Sequence, residues 1–424
     1  MADNDIAQQV LKDRPNAWRR MKKLEEIAQE SGTHGVFSAN GAEWKRQRKL
    51  TAPAFTNVKI RGHYEAIGLV CDRFKNKWMQ AIHDQNHPEN GAVVDVLGDV
   101  MKFTLDIISL IAFGYDLNCV EKHSETAECL TSIMPFMHQR LTSIFPYWKF
   151  CHLPADKKFY RSIPIIKNLV FDIIEKSQSD FTEAEEKMKK NFIEIILQAR
   201  QAGEDHLSDK EIFGNVLTLL LAGQDTTANT LAWCIHYLST NQEVQEDLFK
   251  ETSNSVNDTT RSSMSWYLPE RDKVNNMTFT QNIIRETLRL SAPSTMMFLN
   301  PSDSPQTINF PSENLSVTLA PEDSLVLLNR KVATSHFGNT FDPHRWESQD
   351  ESEIEMLKNI SSIPFGGGPR VCPGKYLSYY ESSLFLSMLS NHFIVEPEFP
   401  GVDTQELLSF TMGPSCLKAR IKLR

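Results

Sequence analysis

The sequence predicts a mainly α-helical protein with a smaller β-rich part towards its C-terminus, which is an α+β organisation. Through most of residues 1–295, apolar and charged residues alternate at helical spacing. Residues 300–324 are rich in Pro, Ser and Asn, and residues 296–424 contain short alternating or apolar segments. Its 424 residues are 41% hydrophobic and 23% charged, as is typical of a globular protein, and they show no internal repeat. We therefore expect a single domain over residues 1–424.

Helices are predicted wherever apolar residues recur at helical spacing in the first part of the chain. These segments are 7–12, 18–29, 43–50, 60–82, 95–113, 163–176, 192–200 and 208–239. The longest of them also carries a start signal, because Ser208 can cap the helix and Glu211 occupies the capping-box position three residues later. The polar, Ser- and Asn-rich segment 252–276 that follows is predicted to be a loop.

The last part of the chain mixes strand signals with irregular segments. Residues 342–362 show little apolar periodicity and are expected to be irregular, whereas residues 376–389 have the periodicity of a helix. Short strands are predicted at 316–319, 325–328, 393–395 and 416–421.

Net charge and cysteine usage exclude several classes of protein. The 45 Lys and Arg residues against 54 Asp and Glu give a net charge of −9, which argues against general nucleic-acid binding. No apolar run approaches the roughly 20 residues that a membrane helix needs, and residues 1–20 are charged throughout, so neither a signal peptide nor an anchor is expected. The seven cysteines form no close pair, which argues against a disulfide framework and a CxxC zinc site and favours a reducing compartment.

The segment from Phe365 to Gly374, with the sequence FGGGPRVCPG, is the most informative part of the chain. Cys372 lies in a Gly- and Pro-rich loop just before a helix, where the helix N-terminus and backbone N–H groups favour a thiolate. Gly366 and Gly374 allow backbone conformations that let a flat ligand approach. Arg370 places a cation two residues before the sulfur. The alternative from the residues alone is a buried structural cysteine in a turn.

This segment resembles the FxxGxRxCxG haem-ligand loop of the cytochrome P-450 family. The resemblance implies the cytochrome P-450 fold and a haem b cofactor whose iron is bound by the Cys372 thiolate, a ligand that favours O–O bond cleavage. It also implies that Arg370 pairs with a haem propionate and that Phe365 packs beside the ring. Gly366 and Gly374 would then belong to the cofactor site.

A second motif lies inside the helix predicted over 208–239, where Asp225 and Thr226 interrupt an apolar sequence. Burying such groups costs a few kcal/mol unless they are hydrogen-bonded, and a Thr hydroxyl can bond back to a carbonyl and bend the helix near Gly223. From the residues alone, this is a satisfied polar pair in a core helix. The segment AGQDTT is also similar to the family's oxygen-activation motif. That resemblance implies that Asp225 and Thr226 hold water and deliver protons to dioxygen, while Ala222 and Gly223 leave room for it.

A third motif consists of Glu286 and Arg289, which are three residues apart on a predicted helix. Alone, such a pair is a common feature of exposed helix faces and contributes little to stability. It is similar to the family's ExxR pair, and the downstream segment FDPHRW adds Arg345 as the third member. The resemblance implies that these residues lock the core near the haem loop and are structural rather than catalytic.

A fourth motif consists of Trp44 and Arg48, which share a helix face because they are four residues apart. The alternative is a basic, solvated helix face. The pair resembles the family's WxxxR motif, which implies contacts with the haem propionates. Lys45, Arg46 and Lys49 would then belong to a basic surface that receives an acidic electron donor.

The chain departs from the family pattern in two places. It begins at what resembles the segment after the family's anchor, hinge, first helix and first two strands, so we expect an N-terminally truncated version of the fold. In addition, residues 290–300 contain no arginine where many members have a propionate-binding one, and Asn300 stands near that place. We therefore expect Trp44, Arg48 and Arg370 to anchor the propionates.

The resemblance implies a haem-thiolate monooxygenase that inserts one oxygen atom from O2 into a lipophilic substrate, with electrons from an NAD(P)H-dependent reductase or a ferredoxin. Two alternatives stay open. One is an isomerase or dehydratase that does not use O2, which the intact Asp225–Thr226 pair disfavours. The other is a truncated, non-catalytic haem-binding chain. We expect a monomer with no nucleic-acid partner, located at the endoplasmic reticulum membrane if a full-length form is eukaryotic, and soluble and cytoplasmic as the given chain.

A lipophilic substrate is suggested by an apolar, Met-rich set of residues that the resemblance assigns to the substrate pocket. Methionine and aromatic side chains adapt to several ligand shapes, so fatty-acid-like, terpenoid and sterol-like substrates all stay open. The alternative is that these side chains are plain core. The set comprises Phe145, Trp148, Phe150, Met296, Met297, Phe298, Leu299, Phe410 and Met412.

Overall fold

The computed structural model describes residues 4–179, 191–201, 203, 206–256, 268–310, 313–402 and 404–424, and most of them are helical. None of the helices in these ranges combines the length and the apolar character that crossing a membrane requires. The α-helices are α1 (Asn4–Lys12), α2 (Lys22–Ser31), α3 (Gly41–Thr51), α4 (Asn57–Gly62), α5 (Tyr64–His83), α6 (Val96–Phe113), α7 (Glu125–Thr131), α8 (Ile133–Thr142), α9 (Pro154–Ser179), α10 (Phe192–Gln201), α11 (Asp209–Thr240), α12 (Gln242–Asn254), α13 (Thr278–Ser291), α14 (Asn329–Thr334), α15 (Glu351–Ser362) and α16 (Lys375–His392).

The strands form small antiparallel sheets, so the prediction of a mainly helical fold with a smaller β part is confirmed. One sheet has the order β1-β3-β6 and another the order β2-β10-β7, while β4–β5 and β8–β9 pair as hairpins. The strands are β1 (Trp18–Arg20), β2 (Ala92–Asp95), β3 (Met296–Pro301), β4 (Gln306–Phe310), β5 (Leu315–Leu319), β6 (Leu325–Leu328), β7 (Phe393–Pro397), β8 (Glu406–Leu408), β9 (Met412–Pro414) and β10 (Lys418–Leu423).

The long helix α11 runs through the hydrophobic core and packs along α6. Its start carries the predicted capping box. The Ser208 hydroxyl accepts from the Glu211 N–H, and the Glu211 carboxylate accepts from the Ser208 N–H at 2.9 Å. Across the two helices, the Thr104 hydroxyl donates to the Gln224 carbonyl at 2.8 Å. These contacts hold the middle of α11, where the Asp225–Thr226 pair lies, in a defined place in the core.

The segment predicted as one helix over 18–29 contains two elements instead. Residues Trp18–Arg20 form strand β1, and helix α2 begins only at Lys22. In the sheet, Arg20 lies opposite Leu299 of β3. Local periodicity does not reveal this long-range pairing, which overrides the helical spacing and places Arg20 beside β3.

Residues 342–362 were expected to be irregular but contain helix α15. The Asp350 carboxylate caps its start by accepting from the Glu353 N–H at 3.0 Å. Leu357 and Ile360 are its buried residues, which explains why the apolar periodicity is weak. In the loop predicted over 252–276, helix α12 occupies the start as far as Asn254, and residues 257–267 lie outside the described residues.

Candidate functional site

Cys372 lies in the loop that leads into α16, and the loop backbone folds around its sulfur. The Cys372 N–H donates to the Phe365 carbonyl at 2.9 Å and closes the loop. Gly366 has a φ of 73°, a left-handed conformation that glycine adopts easily, and this lets the chain turn. The N–H groups of Gly374 and Lys375 hydrogen-bond the sulfur. The loop therefore directs backbone donors at a single sulfur atom.

Opposing effects act on the thiol pKa of Cys372. Burial has the largest effect and raises this pKa, whereas the N–H groups of Gly374 and Lys375 and the guanidinium groups of Arg48 and Arg20 lower it. The loop N–H groups thus act in the predicted direction and favour the thiolate, although the net pKa is above its ordinary value; the residue itself keeps an exposed surface. A metal ion must displace this proton to bind, and the same donors and cations then stabilise the thiolate.

Three guanidinium groups, those of Arg14, Arg20 and Arg370, lie near one another beside this loop and are called the arginine cluster below. Arg14 is 1% exposed. Among the described residues, its Nη1 donates to the Met297 sulfur at 3.0 Å, whereas its Nε and Nη2 have no hydrogen-bond partner. Arg370 donates from Nη2 to the Ala39 carbonyl at 2.7 Å, but its Nε and Nη1 have no hydrogen-bond partner in the described parts of the chain. The Arg20 Nε is also buried without a partner.

The arginine cluster has the properties of an anion site. Burial lowers the pKa of Arg14 to about 8, that of Arg370 to about 9 and that of Arg20 to about 10, and repulsion from Arg20 contributes for the first two. Buried cations that lack a partner are destabilising. The two propionate carboxylates of haem b would supply acceptors for the orphaned donors, beside the sulfur that would bind its iron. The residues present therefore fit haem b.

The sequence-predicted propionate residues have additional contacts within the chain. The Arg370 guanidinium lies over the Trp44 ring, 4.4 Å from its centroid, and this cation–π contact stabilises the position of Arg370. Arg48 donates from NH2 to the Val371 carbonyl at 2.8 Å and thereby holds the loop next to the sulfur. Phe365 lies near Tyr379, with 5.6 Å between ring centroids.

Sequence reasoning missed Arg14 and Arg20. The absence of an arginine from residues 290–300 was the available signal, because it indicated that the anion site needed a cation from elsewhere. The sheet supplies one: strand β1 places Arg19 opposite Asn300 and Arg20 opposite Leu299. The partner strand therefore brings cations to the position where β3 itself has none.

Arg46 was predicted to belong to the basic surface but has another role. It forms an ion pair with Glu211 and donates to the His206 carbonyl at 2.9 Å. These contacts join α3 to the start of α11. Lys45 and Lys49 are exposed, as a basic surface requires.

In the middle of α11, the Thr226 hydroxyl donates to the Ala222 carbonyl one turn earlier at 2.6 Å. Asp225 accepts a hydrogen bond from the Thr411 hydroxyl, and burial raises the pKa of its carboxyl while this bond lowers it. Ala222 is exposed although its neighbours Leu221 and Gln224 are buried. An open space therefore lies against this part of the helix.

Gly223 has a packing role where α11 meets α6, and its predicted role of leaving room for dioxygen stays a prediction. A Cβ atom at this position would lie 2.6 Å from Ile108 Cγ1 on α6. A side chain would therefore push the two helices apart. Glycine is required here by the close approach of α6, and the exposed Ala222 is the member of the pair that borders the open space.

Helix α11 and the helix that follows the Cys372 loop are joined directly. The Thr227 hydroxyl donates to the Ser378 hydroxyl at 3.3 Å, and it also hydrogen-bonds Glu381, a fully buried acid whose pKa burial raises well above the ordinary value. Thr226 and Cys372 are thus carried on elements that touch each other. The structure brings the second motif alongside the first.

Glu286 is the centre of a closed and buried network, called the Glu286 cluster below. Its carboxylate accepts from Arg289 at 2.8 and 2.9 Å and from Arg345 at 3.1 Å. It also accepts from the indole N–H of Trp346 at 3.0 Å, a contact that sequence reasoning missed although the FDPHRW segment contains this residue. The side chains of Glu286 and Arg289 are fully buried, which excludes the alternative of an exposed surface pair.

The residues assigned to the substrate pocket separate into surface and interior positions. Phe145 and Phe150 are 62% and 84% exposed, so their assignment to a pocket wall is wrong for this conformation. Trp148 is buried, and its indole N–H donates to the Glu30 carboxylate at 2.7 Å. Phe410 lies against Phe37, with 6.0 Å between ring centroids.

Comparisons with known proteins agree with this geometry. The family profile described as "Cytochrome P450" matches residues 1–419. The chain is 24% identical to the chloroplast protein LUTEIN DEFICIENT 5 of Arabidopsis thaliana over 93% of its own length and 64% of that protein, and 24% identical to a rat cytochrome P-450 of the 4F group over 86% and 69%. A cytochrome P-450 crystal structure superposes with a TM-score of 0.81 at 21% identity, covering 99% of this chain and 91% of that one. The family and the fold imply a cysteine-ligated haem b, and the chain belongs to the cytochrome P-450 family.

Proposed function

We propose that this chain is a haem-thiolate monooxygenase that inserts one oxygen atom of O2 into a lipophilic organic substrate and reduces the other to water. The electrons come from an NAD(P)H-dependent reductase or a ferredoxin. One observation carries the proposal: the arginine cluster, whose buried N–H groups lack an acceptor among the described residues, lies beside a cysteine loop whose backbone donors point at the sulfur. The adjoining helix α11 retains the acid and the hydroxyl that proton delivery needs.

When bound, haem b supplies the activation of dioxygen. The chain's own groups fix its position and its charge. Cys372 provides the thiolate ligand, and the N–H groups of Gly374 and Lys375 determine how much negative charge stays on the sulfur. The arginine cluster would pair with the propionates and so would hold the cofactor beside Cys372.

Proton delivery falls to Asp225 and Thr226. Because the Thr226 hydroxyl donates to the Ala222 carbonyl, its oxygen is left to accept a hydrogen bond from water. The Asp225 carboxyl is the adjacent group that can release and regain a proton. The half-buried rings of Phe37 and Phe410 are suited to an apolar substrate.

Some finer features stay predictions from the sequence. These are the identity of the electron donor, a monomeric state, and an endoplasmic-reticulum location for a full-length eukaryotic form. The chain spans about two thirds of the length of the relatives described above, so their activities are carried over only as part of this proposal.

A carbon monoxide difference spectrum of the reduced protein, expressed with a haem precursor, tests the cofactor assignment. We expect the red-shifted Soret band of thiolate ligation. Cys372→Ala should abolish this band, whereas Cys151→Ala, which removes an exposed cysteine elsewhere, should leave it unchanged. A wild-type protein without the band, or a Cys372→Ala variant that keeps it, would contradict the proposal.

Replacing Thr226 tests the oxygen reaction. Thr226→Ala should lower product formed per electron by roughly tenfold or more and release peroxide instead, because proton delivery fails. Thr240→Ala is the matched control, since Thr240 makes the same type of hydrogen bond to a carbonyl one turn earlier, at 3.1 Å from His236, but at the exposed end of α11. An unchanged yield in Thr226→Ala would instead favour an isomerase or dehydratase.

A further inference from the structure

We propose that Thr411 is the positioning residue for Asp225, and that the cavity beside them is the entrance through which solvent protons reach this acid. The inference rests on the proposed function, because it says which residue positions the proton-donating acid of that reaction and how protons reach it. It adds a residue from the β8–β9 turn, which belongs to none of the sequence motifs.

The cavity has a volume of about 170 Å³ and lies between α6, the α7–α8 region, α11 and the β8–β9 hairpin. It is large enough for several water molecules, since each takes roughly 30 Å³ in the liquid. Six polar side chains on its wall can hydrogen-bond such waters, which distinguishes it from a dry apolar cavity. They are Thr131, Gln224, Asp225, Asn229, Ser409 and Thr411.

The hydrogen bonds around Thr411 fix the direction of its hydroxyl. The Asn229 amide N–H lies 3.4 Å from the Thr411 oxygen and donates to it. The Thr411 hydroxyl in turn donates to Asp225 Oδ2. The same Asn229 amide donates to the main-chain carbonyl of Asp225 at 2.9 Å. Thr411 is therefore oriented by α11 and holds the carboxylate of the same helix.

The turn that carries Thr411 is pressed tightly onto α11. A Cβ atom on Gly413 would lie 1.9 Å from Asn229 Oδ1, so a side chain there would displace the Asn229 amide. The Met412 N–H donates to the Pro293 carbonyl at 2.9 Å and ties the turn to the segment before β3. Thr411 is thus fixed from both sides, as a positioning residue must be.

Asp225 lines the cavity, whereas Thr226 does not. Successive residues of a helix point about 100° apart, so these two neighbouring side chains leave α11 in different directions. Among the described residues that line the cavity, Asp225 is the only ionisable one. The residues that line it from α6, the α7–α8 region and the hairpin all have neutral side chains.

Infrared difference spectroscopy of the haem-loaded chain tests the positioning role. The carboxyl C=O band of Asp225 is assigned by its loss in Asp225→Asn, and its pH titration is then followed. Removing the Thr411 donor removes a hydrogen bond to the charged form, so Thr411→Val should raise the pKa of Asp225 and Thr411→Ser should restore it. Product formed per electron should fall severalfold in Thr411→Val and recover in Thr411→Ser.

The control is Thr240→Val, which makes the same substitution at the exposed end of α11, away from the cavity. The Thr240 hydroxyl donates to the His236 carbonyl at 3.1 Å and does not contact Asp225. It should leave both the titration and the product yield unchanged. An unchanged titration in Thr411→Val would overturn the positioning role.

The entrance is tested by isotope exchange in the resting protein. In D2O the Asp225 band shifts as its proton is replaced, and Met134→Trp, which fills the cavity, should slow this shift severalfold. An unchanged exchange rate would overturn the assignment of the entrance. Because the exchange needs no turnover, a wild type that forms no oxygenated product would refute the proposed function without deciding this test.

Discussion

The Glu286 cluster and the arginine cluster are both buried groups of charge, but one is complete and the other is not. The Glu286 carboxylate accepts hydrogen bonds from two arginines, an indole and the N–H of Asp342. Arg289 also donates to the Gly338 and Thr340 carbonyls. The arginine cluster has orphaned donors and no carboxylate paired with it in the described parts of the chain.

The difference teaches how to separate a structural network from a binding site. A buried charge is destabilising unless it is paired and hydrogen-bonded. A network that satisfies itself stabilises the fold and needs no ligand. A network that leaves donors unsatisfied destabilises the ligand-free fold and gains stability when an anion of the right geometry binds. Removing a charge should therefore have opposite effects in the two clusters.

The largest expected effect comes from opening the complete cluster. Glu286→Gln leaves Arg289 and Arg345 buried without their counter-charge, and it should lower the free energy of unfolding by about 3–5 kcal/mol, measured by urea denaturation. Glu347→Gln is the control, because Glu347 is exposed and pairs only loosely with His344, at 3.4 Å. Equal losses in the two variants would show that the Glu286 cluster is not a closed network.

The second effect has the opposite sign. Arg14→Met removes a buried, unsatisfied cation and should raise the free energy of unfolding of the haem-free chain by about 2 kcal/mol. The same variant should release haem about tenfold faster, because hydrogen bonds to a charged propionate are lost. Haem transfer to an acceptor protein measures the release. Arg73→Met, which breaks an ion pair with Asp116 at 2.7 Å, should instead destabilise the chain and leave haem release unchanged.

A third prediction uses Glu381, a buried acid without a cationic partner among the residues that the structure describes. Burial raises its pKa well above 4.5. The folded protein therefore holds this proton to higher pH than the unfolded chain does, so stability is fully present below the ordinary pKa and is lost as pH rises. Glu381→Gln should be more stable than wild type at neutral pH by about 1 kcal/mol, and the difference should vanish near about pH 4.

Thermal unfolding at the two pH values measures this difference. Glu396→Gln, at a partly exposed position paired with Lys422 at 2.8 Å, should not show the same gain at neutral pH. A Glu381→Gln variant that is less stable than wild type at both pH values would mean that Glu381 is charged and paired, like Glu286.

The parts of the fold that the sequence predicted correctly depend on neighbouring residues. The capping box of Ser208 and Glu211 involves two positions three residues apart, and the donors around Cys372 come from its own loop. Such features are local, so the sequence specifies them directly. The closed network of Glu286 was also predicted in outline, because three of its members belong to two short motifs.

The features that were missed depend on contacts between distant residues. Strand β1 exists because it pairs with β3, and that pairing brings Arg20 opposite Leu299. The close packing at Gly223 depends on Ile108, and the cations that lower the thiol pKa of Cys372, Arg20 and Arg48, are distant from it in the sequence. Arg46 looked like part of a basic surface because the sequence does not show that Glu211 approaches it.

The smallest expected effect separates a paired cation from its exposed neighbours. Arg46→Gln should cost about 0.5 kcal/mol of stability, since its ion pair with Glu211 is partly exposed, and should leave reduction by the electron donor unchanged. Lys49→Glu should leave stability unchanged but slow that reduction at low salt, because exposed charge acts on the rate of encounter and is screened by added ions. Stopped-flow reduction at two salt concentrations measures both variants. If Arg46→Gln slowed reduction as much as Lys49→Glu, the paired guanidinium would belong to the docking surface after all.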